Sequence, residues 1–126
     1  MPTIKPDYLE AMQIDIRLLL NILPSREGTL YTPNITGIKC ARPAMQCFMR
    51  EIDILEEENE NRNITNTIQN IKRNLQAGWK QVAKRDAKED KICPLCESYE
   101  EQNYTDFLNR LVALVQFVLR TGFEKH

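Results

Sequence analysis

Four cysteines set the one spacing in this 126-residue chain that suggests covalent or metal chemistry. Cys40 and Cys47 lie seven residues apart, and Cys93 and Cys96 flank Pro94-Leu95. Three chemistries are open to such a set. Two disulfides could join the segment around Cys40 to the one around Cys93. A zinc ion could use Cys93 and Cys96 as half of a site, but Cys40 and Cys47 stand farther apart than paired thiolate ligands usually do. A redox CxxC is the third, and those occur beside a βαβ pattern that is not seen here. The spacing favours disulfides. Each bridge would close a loop of about 50 residues, worth about 4 kcal/mol in the chain-entropy model. A small domain is held together by only about 5–15 kcal/mol, so that is a large share.

Disulfides imply an oxidising compartment. Three glycosylation sequons agree with it: Asn34-Ile-Thr36, Asn63-Ile-Thr65 and Asn103-Tyr-Thr105. The N-terminus, Met-Pro-Thr-Ile-Lys-Pro, lacks the apolar centre of a secretory leader. The expectation is therefore a secreted, extracellular protein whose signal peptide has been removed. No apolar run of about 18 residues is present to span a bilayer, and no membrane insertion is expected. A net charge of −1 gives no field that favours nucleic acid, and none is expected as a partner. Lys80, Lys84, Arg85, Lys88 and Lys91 are interrupted by Asp86, Glu89 and Asp90, which dilutes any basic patch. Enzyme chemistry is not expected either. The sole histidine is the C-terminal His126, and neither a Gly-rich phosphate loop nor a nucleophile motif is evident. No cofactor or metal is expected.

The elements that must position these residues are helical. Leu9, Met12, Ile16, Leu19 and Leu23 keep a 3–4 rhythm, which predicts a helix over about 6–23, with Pro6 in its first turn. Residues 24–40 read as a long connection punctuated by Gly28, Pro33 and Gly37. Met45, Phe48, Ile52 and Leu55 predict a second helix over about 43–57. The acidic stretch from Glu56 to Glu60 is then a solvated end and turn. Ile64, Ile68, Ile71 and Leu75 predict a third helix over about 64–77, ending near Gly78. Residues 79–92 form a second long link with room for an extra helical turn, and Trp79 is expected to be partly buried. Tyr104, Leu108, Leu111, Val115, Val118 and Leu119 stripe a fourth helix, predicted over about 95–121. Four helices with two long connections predict one all-α domain, a four-helix bundle of up-up-down-down topology, because parallel neighbours need crossovers as long as the bundle.

Several segments together resemble one family. They are Thr29-Leu30-Tyr31-Thr32, the run from Cys40-Ala41-Arg42-Pro43 to Gln46-Cys47-Phe48, and Cys93-Pro94-Leu95-Cys96-Glu97. Tyr99 to Asn103, Phe107-Leu108 and Val115-Gln116 continue the likeness. In order and spacing these are similar to the interleukin-15 family of short-chain four-helix cytokines, over about residues 29–120. Phe107-Leu108-Asn109-Arg110 also resembles interleukin-2, but two cysteine pairs favour the interleukin-15 branch. The resemblance implies the pairings Cys40–Cys93 and Cys47–Cys96. It also implies a monomeric secreted glycoprotein of the immune response, which binds a private alpha receptor chain and bridges a shared beta chain and the common gamma chain to activate lymphocyte signalling.

Site residues follow from the same resemblance. Gln116 matches a gamma-chain contact, although periodicity alone makes it an ordinary amide at the edge of an apolar stripe. Asp15 and Asn70 match beta-chain contacts. Asn66 stands where the family carries an aspartate, which removes a charge-assisted bond from that face. A glycan on Asn63 would lie near it. Tyr31, Glu51, Ile54 and Glu58 match the alpha-chain surface; charge alone makes these glutamates a solvated acidic face. Other readings are an interleukin-2-like or interleukin-15-like paralogue with altered receptor use, a small disulfide-bonded lipid binder, or a zinc-stabilised helical interaction module.

Overall fold

The computed structural model describes residues 6–23, 28–34, 40–79 and 93–121. The order is α1 (Pro6–Ile22), β1 (Thr29–Tyr31), α2 (Ala41–Glu57), α3 (Arg62–Trp79), β2 (Glu101–Asn103) and α4 (Tyr104–Thr121). A short 3-10 turn at Cys96–Ser98 precedes β2. The fold class is the expected all-α four-helix bundle.

The predicted stripes form the core. Met12, Ile16 and Leu19 of α1 share one buried cluster with Met45, Phe48, Ile52 and Leu55 of α2. Ile64, Ile68, Ile71 and Leu75 of α3 and Leu108, Leu111, Val115 and Val118 of α4 complete it. Phe107 and Leu114 also turn inward, and the Phe48 and Phe107 rings sit 5.2 Å apart at 56°, a favourable tilted arrangement. The side chains of Leu9, Gly78, Trp79 and Leu119, and the possible extra turn in 80–92, lie outside the described residues.

Helix boundaries differ from the expected ones for local reasons. α2 begins at Ala41 rather than 43, because Pro43 falls in the first turn, where a missing N–H costs no helical bond. α3 begins at Arg62 rather than 64. There the Asn61 side-chain oxygen accepts from the backbone N–H of Asn63 at 2.8 Å and of Ile64 at 3.4 Å, satisfying two otherwise orphaned donors. The helix also continues through Gly78.

The fourth helix is the larger correction. It starts at Tyr104 instead of 95, and residues 95–103 supply the 3-10 turn and β2. β2 runs antiparallel to β1 with Tyr31 opposite Glu101 and Thr29 opposite Asn103, and the Thr32 N–H extends the pairing to the Glu100 carbonyl at 2.9 Å. The chain between Cys96 and α4 is therefore drawn out to pair with the first crossover. Asn103 then caps α4, its Oδ1 accepting from the Asp106 N–H at 2.8 Å.

The α2–α3 link is tight. Asn59 is buried there, and its Nδ2 donates to the Leu55 carbonyl at 2.8 Å, so the acidic stretch is not wholly solvated. Gly28 lies against Tyr104, where a Cβ would collide with the phenol ring.

Candidate functional site

Cys40–Cys93 and Cys47–Cys96 are both disulfides, with Cα–Cα distances of 5.6 and 5.3 Å, inside the usual range. All four cysteines are consumed, so no thiolate remains for zinc. The bridges hold the 93–98 segment against the N-terminal half of α2, and Arg50 on α2 adds an ion pair to Glu97 at 2.7 Å. The Glu97 carboxyl lies below its ordinary range, through its own backbone N–H first and then Arg50.

Three groups of side chains arise from this scaffold. The first joins β1 to α2. Glu51 sits one turn after Cys47, among Phe48, Ile52 and Leu55, and is only 3% exposed. Its Oε1 accepts from the Tyr31 backbone N–H at 2.8 Å. Arg50 Nε lies 3.8 Å from the other oxygen. Glu51 is thus a buried anchor for β1 and not part of a solvated acidic face. The signal was present: Cys47, Phe48, Glu51, Ile52 and Leu55 share the inward side of α2. Tyr31 is half-buried, and Ile54 and Glu58 are exposed. The Glu58 carboxylate accepts from the Tyr104 hydroxyl at 2.6 Å, tying the end of α2 to the start of α4.

The second group lies between α1 and α3. Asp15 is half-buried and faces Asn74 at 3.5 Å. Burial raises the Asp15 carboxyl above its ordinary value, and the Asn74 bond opposes that shift. Asn66 and Asn70 are exposed about two turns and one turn before Asn74 on α3, respectively. Further round α3, the Asp53 carboxylate at 2.6 Å holds the Lys72 ammonium above the ordinary lysine value; burial opposes this, and Glu56 at 3.1 Å reinforces it.

The third group lies between α1 and α4. Gln116 is exposed, and its Nε2 reaches Gln13 Oε1 at 3.4 Å. Gln13 and Asn74 were not legible as site residues, because each matters only through a helix it meets in space.

Asn34, Asn63 and Asn103 are all exposed. Asn34 Oδ1 accepts from Arg110 at 2.8 Å. Among the described residues no helix is long and apolar enough to cross a membrane.

A disulfide-tied bundle of four helices, with its two crossovers zipped by a short strand pair, defines a short-chain helical cytokine. An interleukin 15 family model matches residues 7–120. The chain is 31% identical to interleukin-15 of Felis catus over 110 residues, covering 86% of this chain and 66% of that protein. It is 30% identical to interleukin-15 of Mus musculus over 122 residues, 90% of this chain and 72% of that protein. Against interleukin-15 of Oryctolagus cuniculus it is 32% identical over 95 residues, 75% of this chain and 57% of that protein. The chain thus spans between 57% and 72% of the length of these relatives. It belongs to the interleukin-15 family of cytokines, which are not enzymes.

Proposed function

We propose that this chain acts as a secreted ligand for three receptor chains. An alpha chain engages Tyr31, Ile54 and Glu58, with Glu51 holding Tyr31 from behind. The shared beta chain engages Asp15, Asn66 and Asn70, and the common gamma chain engages Gln116. Signalling then follows from juxtaposed receptor tails on lymphocytes, and the ligand itself does no chemistry. The supporting observation is the separation of the groups: one spans β1 and α2, one α1 and α3, one α1 and α4. A scaffold cross-linked at 40–93 and 47–96 keeps such faces in fixed relation. Both disulfides and the exposed sequon asparagines Asn34, Asn63 and Asn103 support secretion and glycosylation.

Binding to each purified receptor ectodomain tests the reading. Gln116→Lys is expected to spare alpha-chain binding and weaken gamma-chain recruitment by tenfold or more. Equal loss at every ectodomain would mean a damaged fold, and no binding to any of them refutes the proposal. The neutral, exposed Asn66 supports a second reading, a paralogue with a weaker or altered beta-chain contact. Asn66→Asp then strengthens beta binding.

A further inference from the structure

Four large apolar side chains are exposed among the described residues: Ile14, Leu18, Ile54 and Leu95. Single exposed apolar residues are ordinary, but Ile14 and Leu18 form a pair. They lie four residues apart on α1, so they stack one above the other on one side of the helix, 68% and 49% exposed. The α1 core stripe of Met12, Ile16 and Leu19 accounts for neither.

Their flanks are defined by contacts. Gln13 touches Gln116 of α4, and Asp15 touches Asn74 of α3. Successive helical residues advance by about 100°, which puts Ile14 midway between these flanks. Leu18 then lies about 60° from Asp15 and about 140° from Gln13. The apolar ridge therefore leans to the α3 side and adjoins Asp15.

We infer that Ile14 and Leu18 are the apolar centre of the surface that takes the beta receptor chain, with Asp15 and the α3 asparagines as its polar border. The inference rests on the beta-chain assignment made above, and it adds the residues that supply the desolvated area. A water-excluding apolar centre ringed by polar groups is how protein interfaces concentrate binding energy. The matching receptor surface is an apolar patch bordered by hydrogen-bond donors to the Asp15 carboxylate. With Asn66 uncharged, this face draws its hold from dehydration more than from charge.

The test measures binding of the full chain to separate beta, gamma and alpha ectodomains, with Ile14→Arg, Leu18→Arg, Leu18→Ala and Asp15→Asn. Ile14 and Leu18 are both exposed, so their three variants should keep the parental circular dichroism and thermal midpoint. Ile14→Arg and Leu18→Arg are expected to weaken beta binding at least tenfold, mainly through faster dissociation. Leu18→Ala should weaken it several-fold, with alpha and gamma binding unchanged. If Asp15→Asn weakens beta binding while the arginine variants do not, the ridge is not in the interface and this inference fails alone. Loss of gamma binding instead of beta binding also overturns it. If the parental chain does not bind the beta ectodomain at all, the beta-chain assignment fails, and this inference with it.

Discussion

The backbone N–H of Tyr31 donates to the buried carboxylate of Glu51 across twenty positions of sequence, at 2.8 Å. That bond couples the first crossover directly to α2. Glu51→Ala should orphan the Tyr31 amide and cost about 1–3 kcal/mol. Denaturant unfolding measures the loss, and hydrogen exchange at the Tyr31 amide should accelerate. Unchanged stability and exchange would show that β1 is held by its pairing with β2 alone.

Gly28 should tolerate no side chain, since a Cβ there meets the Tyr104 ring. Gly28→Ala must displace a ring whose hydroxyl also bonds Glu58 at 2.6 Å. A cost of about 1–3 kcal/mol is expected from overpacking, larger than that of Tyr104→Phe, which loses the hydroxyl but keeps the ring. Thermal unfolding of the two variants decides it; the reverse order would mean that the turn at Gly28 yields easily.

The bridges span 53 and 49 residues of sequence. With Cys40–Cys93 intact, replacing Cys47 and Cys96 together by serine opens only the ring of about a dozen residues between the two bridges, with an expected loss of about 3 kcal/mol in the chain-entropy model. Denaturant titration of the folded variant gives the value. A loss under about 1 kcal/mol would mean that packing of the Cys96–Ser98 turn against α2 survives without the bond.

Asp15 carries a pH signature with a definite sign. Its carboxyl lies above the ordinary value in the folded chain, chiefly through burial, so the folded state holds the proton more tightly than the unfolded one. The stability that this proton contributes is complete below the ordinary aspartate value and is lost as pH rises through the raised one. At neutral pH the charge is a small burden, so Asp15→Asn should raise the thermal midpoint at pH 7 and lose that advantage toward pH 3. The same variant should bind the beta ectodomain more weakly. A lowered midpoint at pH 7 would mean that the Asn74 bond outweighs burial.

Asn103 has two separable roles. Its side chain caps α4, and its sequon runs to Thr105, which is exposed. Thr105→Ala should abolish any glycan there and leave stability of the unglycosylated chain within about 0.5 kcal/mol. Asn103→Ala should abolish the glycan and cost about 1 kcal/mol through the lost cap. Mass spectrometry and unfolding of both variants read the two effects; equal stabilities would deny the cap.

Much of this protein was legible as a string of residues. The 3–4 spacing of Met12, Ile16 and Leu19, and its equivalents in the other helices, names the inward face, because an apolar stripe at that period has no favourable place in water. The cysteine spacing favoured disulfides, and the family resemblance supplied their pairing. Tertiary structure alone decided the rest. Periodicity says which residues share a side of a helix but not which neighbour covers that side, so Glu51 read as solvated until β1 closed over it. Likewise residues 95–103 read as helix until pairing with a strand some seventy positions earlier drew them out. Ile14 and Leu18 stand exposed for the converse reason: α3 and α4 pack against the flanks of α1 and leave its outward ridge uncovered.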